Sequence, residues 1–367
     1  VMYVIIPWVI RLAGMFELFF VNSIGLPFNS GTLIYFILLV GGIVWGLFYT
    51  RKAAKPVLNA IILAFTFIVI GYSSFLLLVI RSNANPPIDE NNPENAMYLL
   101  AYLNREQYGD WPLVKGQYYN APVIDRTDGN PVYAKDTVTG KYVVTDSREK
   151  VLPVYDPRFT TIFPRMWDQT EARFADEYIR WGKVKGIPVQ VETGQEPETR
   201  NVPTFSENLR FFWNYQVVHM YFRYFMWNFA GRQNDIQGMG SKLDGNWKTG
   251  ITPYDAARLG PQDIPESRKN KADNRFFLLP LLLGIIGIVF TLKKDWKSAW
   301  VIFLLFFMTG IAIVLYLNQH SPQPRERDYA FAGSFYAFAI WIGLAIPQLK
   351  EWLERFFASP NELSWTS

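Results

Sequence analysis

The chain has 367 residues, 50% of them hydrophobic and 17% aromatic, with a net charge of +4, two histidines and no cysteine. The missing cysteine excludes disulfides, thiolate zinc sites and thiol nucleophiles, and two histidines do not make a multi-histidine metal centre. The small positive excess is ordinary for a membrane protein whose cytoplasmic loops collect Lys and Arg, and it points to no nucleic-acid partner.

Apolar residues concentrate in 1–80 and 276–349, and the segment between is polar, so a whole-chain average hides two populations. Six apolar runs, roughly 1–22, 32–50, 57–80, 276–292, 298–318 and 332–349, approach the length that crosses a bilayer. The first holds Arg11 and Glu17, and the fourth is short unless Arg275 snorkels at its edge. An ionisable residue inside a membrane is a functional hypothesis by default, but a six-residue spacing keeps Arg11 and Glu17 from facing each other on a helix. Val1 lies inside the first run with no basic leader before it, and the tail 359–367 stops abruptly. The expectation is the middle of a longer protein.

Three short connections are basic: Arg51–Lys55, Lys293–Lys297 and Lys350–Arg355. The loop Asn22–Gly31 has no charge. The positive-inside rule puts the basic connections in the cytoplasm, in agreement with strict alternation of six spans. Loop 22–31, segment 81–275 and loop 319–331 then share the other side, the periplasm of a bacterial inner membrane. The fold class read here is a polytopic α-helical membrane protein of about six spans with an α+β extracytoplasmic domain. Its parts are helices 1–3 in 1–80, the domain in 81–275, helices 4–6 in 276–349 and a cytoplasmic tail in 350–367.

Within 81–275 a Pro/Asn-rich exit leads to a helix from Pro93 to about Tyr108. Asp128-Gly129 and Thr139-Gly140 are turn signals for β-hairpins. From Glu207 to Phe229 the chain is strongly aromatic, with Phe211, Phe212, Trp213, Tyr215, Tyr221, Phe222, Tyr224, Phe225, Trp227 and Phe229. That composition suits a helix lying in the membrane interface.

Several constellations have chemistry in them. Arg325, Glu326, Arg327 and Asp328 alternate in sign between two apolar runs, and two arginines at an interface match a lipid phosphate. The plainer reading is a structural loop whose arginines pair with Glu326, Asp328 or carboxylates in the large domain. His219 and Arg223 share a helix face, and Arg232, Gln233, Asn234 and Asp235 follow at the helix mouth. Aromatics with such polar residues suit a sugar pocket drawn from His219, Trp227, Asn228, Arg232, Asn234, Asp328 and Tyr329. An aromatic membrane anchor is the equal alternative. Asp89 and Glu90, beside Arg81, offer a general base or oxygen ligands for a hard cation, against the plainer reading of a solvated cap. Asp235 is a further base candidate. There is no Walker loop, dinucleotide motif, nucleophile elbow or zinc motif.

Four pairs or stretches of motif carry a resemblance: Asn85–Asn91 with Tyr102–Gly109, His219–Phe229, Gly231–Gly238, and Pro324–Tyr329 with Gly333–Gly343. They resemble a bacterial family of multi-span membrane proteins long labelled only as a domain of unknown function. That family is grouped with GT-C-type glycosyltransferases and is similar to transmembrane protein O-mannosyltransferases. The resemblance implies transfer of sugar from a polyprenyl-phosphate donor to Ser/Thr of periplasmic proteins. Membrane lipid, the polyprenyl-linked sugar and the acceptor protein would be the partners, and no cofactor beyond the donor substrate is implied. A divalent cation has no support beyond the Asp89-Glu90 oxygens. Arg325, Arg327, Arg81 and Arg223 are the expected donor-phosphate ligands. The family's usual catalytic carboxylate follows its first span, in a region expected to precede Val1, so no residue here matches it. Two other readings stay open, a non-catalytic membrane subunit of an envelope or protein-translocation complex, and a transporter.

Overall fold

The computed structural model describes residues 5–89, 92–103, 111–127, 132–146, 152–193, 196–261 and 271–357. Glu90, the Asp128-Gly129 turn, the helix end beyond 103 and the tail 359–367 lie outside them. Among the described residues five helical segments are long and apolar enough to cross a membrane: Pro7–Ile24, Ser30–Lys52, Pro56–Ser82, Trp296–Leu317 and Asp328–Phe357. Six were expected. The fourth run folds as Leu279–Lys294, only 16 residues, because Leu278 takes a left-handed conformation (φ 61°) and Asp295 ends the helix in extended backbone. At about 1.5 Å per residue that falls short of the ~30 Å hydrocarbon core.

The chain divides into two compact units, residues 1–110 with 125–154, and 111–124 with 155–367. In the first, α1 (Ile5–Leu18) runs on through a π turn, Phe19–Ile24. It is followed by α2 (Ser30–Lys52), α3 (Pro56–Tyr72), α4 (Leu76–Ser82) and α5 (Ala96–Leu103). Ala13, Tyr35 and Ala96 form its core with Val9, Phe16, Phe36 and Leu39. Gly31 is required there, since a Cβ would sit 2.4 Å from the Phe16 carbonyl oxygen where α1 and α2 meet. Asn59 on α3 donates to Thr50 Oγ1 on α2 at 2.8 Å, a polar tie between two apolar helices.

The Thr139-Gly140 turn closes a hairpin of Val132–Asp136 and Lys141–Asp146, with Asp136 accepting from Val138 N and Thr139 Oγ1. This hairpin docks on the first helical connection. Asn22 matches the Tyr142 backbone with two 2.8 Å bonds, donating to its carbonyl and accepting from its amide. Tyr142 Oη donates to Glu17 at 3.1 Å. Glu17 is buried, and its carboxylate also accepts from Asn29 N, Thr32 N and Thr32 Oγ1 at the start of α2. A carboxylate at a helix N-terminus is held by the orphan amides and the dipole. Arg11 is exposed and lies over Trp8.

In the second unit α6 (Ala172–Gly182) buries Phe174, Tyr178 and Gly182, and the hairpin Ile187–Thr193 with Glu196–Val202 follows it. Thr204 then opens a long helical element with a reciprocal capping box to Glu207. The element consists of α7 (Phe205–Phe211), an 11-residue π segment (Phe212–Phe222) and α8 (Arg223–Phe229). Most of its rings are buried within the protein: Phe211, Tyr215, Tyr221, Tyr224, Phe225, Trp227 and Phe229 are all core residues. They pack against Val314, Phe331, Phe338 and Trp341 of the apolar C-terminal helices, because those helices need an apolar partner. Trp213 and Phe222 face outward.

After the short helix α9 (Thr252–Leu259) come α10 (Leu279–Lys294), α11 (Trp296–Met308), α12 (Ile311–Leu317) and α13 (Ala332–Phe357). The α10–α13 crossing is very close, since a Cβ on Gly287 would lie 1.7 Å from the Trp341 carbonyl oxygen. Small residues let apolar helices associate by direct backbone approach.

Candidate functional site

The charged loop between α12 and α13 is built into the second unit at many points. Asn318 Nδ2 donates to Pro112 O and Pro164 O, and its Oδ1 accepts from Gln216. Tyr215 Oη donates to His320 O, and Gln237 Nε2 donates to Gln323 O at 2.8 Å. Ser321 Oγ donates to Glu177 at 2.7 Å. Tyr215 and Gln216 lie in the π segment, a rare form that tends to mark functional positions.

At the loop's centre Glu326 receives both arms of Arg223, at 2.9 and 2.7 Å. Gly238 N donates to it at 2.7 Å, and Tyr224 Oη donates as well. Arg223 also donates to His219 O and Gly245 O and lies over the Tyr224 and Trp227 rings. Burial pushes the Glu326 carboxyl up, but Arg223, Tyr224 and Gly238 outweigh it and hold it below the usual range. His219 Nε2 donates to Gly238 O at 3.1 Å. Burial, reinforced by Arg223, pushes its pKa down to about 3, so the ring is neutral at ordinary pH.

Beside this network lies a small recess lined by Glu177, Arg180, Trp181, His219, Gln323, Arg325 and Glu326, among others. Its enclosed space is about that of one water. Trp181 packs against Tyr215 and His219 with ring centroids 5.4 and 4.9 Å away. Glu177 Oε2 accepts from Arg180, Trp181 Nε1 and Ser321, and no hydrogen bond engages its Oε1 among the described residues. Glu177 is thus balanced by Arg180 and Glu326 by Arg223. Among the described residues no carboxylate pairs with Arg325, which stacks over Tyr329. Gln323 Oε1, His320 Nδ1 and Arg327 Nε are buried without a hydrogen-bond partner.

The residues singled out in the sequence divide among several places. His219, Arg325 and Glu326 meet at the recess. Arg223 is engaged by Glu326 and is closed to a phosphate. Asp328 begins the one-turn helix that leads into α13, and Tyr329 is exposed. Trp227, Arg232 and Asn234 lie outside the recess and adjoin Arg223, which stacks on Trp227 and donates to Gly245 O. Arg232 lies 3.9 Å over Trp227, and Asn234 clamps Leu243 O and Gly245 N. Asn228 is exposed and bonded to Tyr224 O, and Asp235 is exposed. Arg81 and Asp89 belong to the first unit, where Ser82 Oγ donates to Asp89 at 2.6 Å. Sequence reasoning passed over Glu177, Trp181, Ser321 and Gln323. The first two sit four apart on α6, whose amphipathic spacing was the available signal.

A family of unknown function (DUF8416) matches residues 109–213, which include Glu177 and Trp181. Comparison with curated proteins and with solved structures gave no match.

Proposed function

We propose that this chain is a GT-C-type glycosyltransferase of the bacterial inner membrane. It would move a sugar from a polyprenyl-phosphate donor to Ser/Thr of a periplasmic protein. One observation supports this most: Arg325 is the guanidinium left unbalanced where the recess otherwise neutralises its own charges. An exposed guanidinium, unpaired among the described residues, at the edge of an apolar helix bundle suits the phosphate of a lipid carrier.

In this reading the donor phosphate lies on Arg325, with the flank of Arg327 beside it, and the sugar projects over Trp181. The free Oε1 of Glu177 takes the proton of the acceptor hydroxyl. The acceptor oxygen forms a bond to the anomeric carbon as the carbon–oxygen bond to phosphate breaks. The electron pair leaves on the polyprenyl phosphate, where Arg325 stabilises it. Glu177 takes the place of Asp89, Glu90 and Asp235 as the carboxylate of choice because it lines the recess.

The test is transfer from a polyprenyl-phosphate sugar to a Ser/Thr peptide by the purified, reconstituted chain. Arg325→Ala and Glu177→Gln should each lower the rate by about 10²–10³, the usual cost of losing one charge-stabilising or proton-accepting group. Transfer that survives both substitutions removes this reading. A non-catalytic role in an envelope complex has one observation in its favour. Phe205, Leu209, Trp213, Val218 and Phe222 make an exposed apolar line along one helical element. Reproducible co-purification that depends on Trp213, with no transfer, would select that role.

A further inference from the structure

We infer that the end of the C-terminal helix bundle opposite the charged loop is a docking surface for the headgroup of an anionic diacyl phospholipid. Lys293, Lys297 and Arg355 are the cations that hold the headgroup phosphate. The inference does not depend on sugar transfer. It needs only that α11 and α13 cross a bilayer.

The ends of α10, α11 and α13 meet here. α10 finishes at Lys293 and Lys294, and α11 starts at Trp296 after the single residue Asp295. Lys294 Nζ bonds Glu351 Oε1 at 3.0 Å, which ties the end of α10 to α13. The surface carries Lys293, Lys294, Lys297, Lys350 and Arg355 against Asp295, Glu351 and Glu354. Each acid is already engaged. Glu351 holds Lys294, and Glu354 lies 3.6 Å from Lys350. Asp295 caps α11, accepting from Lys297 N and Ser298 N, so its charge is set against the helix dipole. Lys293, Lys297 and Arg355 are exposed, with no carboxylate partner among the described residues.

Helix length sets the depth of this surface. The 26 residues of α13 reach about 39 Å, more than the ~30 Å hydrocarbon core. The charged loop holds the start of α13, so its last turns project beyond the core at the other end. In those turns Trp352, Leu353, Phe356 and Phe357 share one helix face, and Lys350, Glu351, Glu354 and Arg355 share the opposite one. All four apolar side chains are exposed, as is Trp296 at the start of α11. Trp beside Lys and Arg is the composition that sits at headgroup level. A water-soluble acidic segment could meet the cations but would leave the rings of Trp352 and Phe356 in water. A phospholipid meets both, with its phosphate on the cations and its acyl chains along the rings.

The test uses the full chain in nanodiscs of equal phosphatidylglycerol and phosphatidylcholine, with a trace of one or the other lipid carrying the same photoreactive acyl chain. Crosslinked peptides are identified by mass spectrometry. Phosphatidylglycerol should label 292–300 and 350–357 at least tenfold more than phosphatidylcholine, since each cation near an anionic lipid contributes about fivefold. Lys293→Gln, Lys297→Gln and Arg355→Gln combined should bring its labelling down to the phosphatidylcholine level. Arg51→Gln, Lys52→Gln and Lys55→Gln combined remove the same charge from the first unit and should leave it unchanged. In the unaltered chain, about 0.5 M salt should remove most of the preference, a readout that needs no variant. Equal labelling by the two lipids overturns the inference. So does a preference that survives the triple substitution or high salt, or one that the Arg51 triple abolishes equally. Labelling of these peptides by neither lipid also overturns it, and would mean that something other than a bilayer covers this face.

Discussion

Arg223 and Glu326 are 103 positions apart and meet in a two-bonded, largely buried ion pair, with side chains 6% and 16% exposed. The pair joins α8 to the charged loop, and Gly238 joins a third segment to it. Removing one partner strands a charge. Glu326→Gln should therefore cost about 3–5 kcal/mol, read as a fall in the thermal midpoint of the purified protein. Replacing both by Met and Leu should recover most of that loss, since a well-packed apolar pair is often neutral relative to a buried ion pair. A double-mutant cycle showing no coupling would contradict this account.

Acid sensitivity follows from His219. Its folded pKa of about 3 lies below the ordinary value, so between about pH 6.5 and 3 the unfolded chain binds a proton that the folded chain refuses. Stability is then fully present above pH 6.5 and is lost as the pH falls, by on the order of a few kcal/mol. His320 is shifted the same way by burial, with Arg327 adding to it and Asp168 opposing it. Glu326, held below its usual range, adds a loss only at still lower pH, below about 4. Denaturant melts from pH 7.5 to 4 should show this slope, and His219→Gln should flatten it.

The α10–α13 crossing tolerates nothing larger than glycine at 287. Gly287→Ala forces the Trp341 backbone away and should destabilise by about 1–3 kcal/mol, as overpacking does. Gly343→Ala, where a Cβ would meet nothing within 4 Å, is the matched control and should be near neutral. Equal melting of both variants would count against the packing described.

Tyr142→Phe removes one of the four hydrogen bonds to Glu17 and leaves the other three. The expected loss is about 1 kcal/mol. It should show as faster limited proteolysis of the 132–146 hairpin, because Asn22 would remain its chief tie to the helical connection. Unchanged proteolysis would mean that the Asn22 bonds alone set the hairpin's position.

The segments long and apolar enough to span a membrane were legible because bilayer-length hydrophobicity is a local property. The apolar runs at 32–50, 57–80, 298–318 and 332–349 became Ser30–Lys52, Pro56–Ser82, Trp296–Leu317 and Asp328–Phe357. The Thr139-Gly140 turn was legible for the same reason, since Gly140 adopts the positive φ of 68° that its hairpin needs. The alternation of Arg325, Glu326, Arg327 and Asp328 was visible too, but its meaning was not. Sequence suggested that neighbours neutralise one another, whereas Glu326 bonds Arg223 from far along the chain and leaves Arg325 unbalanced. Glu177, Trp181 and Gln323 become a site only when α6 and the loop after α12 meet at the π segment. Pairing, burial and an orphaned carbonyl depend on distances that a one-dimensional pattern does not contain. Local chemistry fixed which segments are apolar and where the chain turns. Tertiary packing alone decided which of those charges meet a partner.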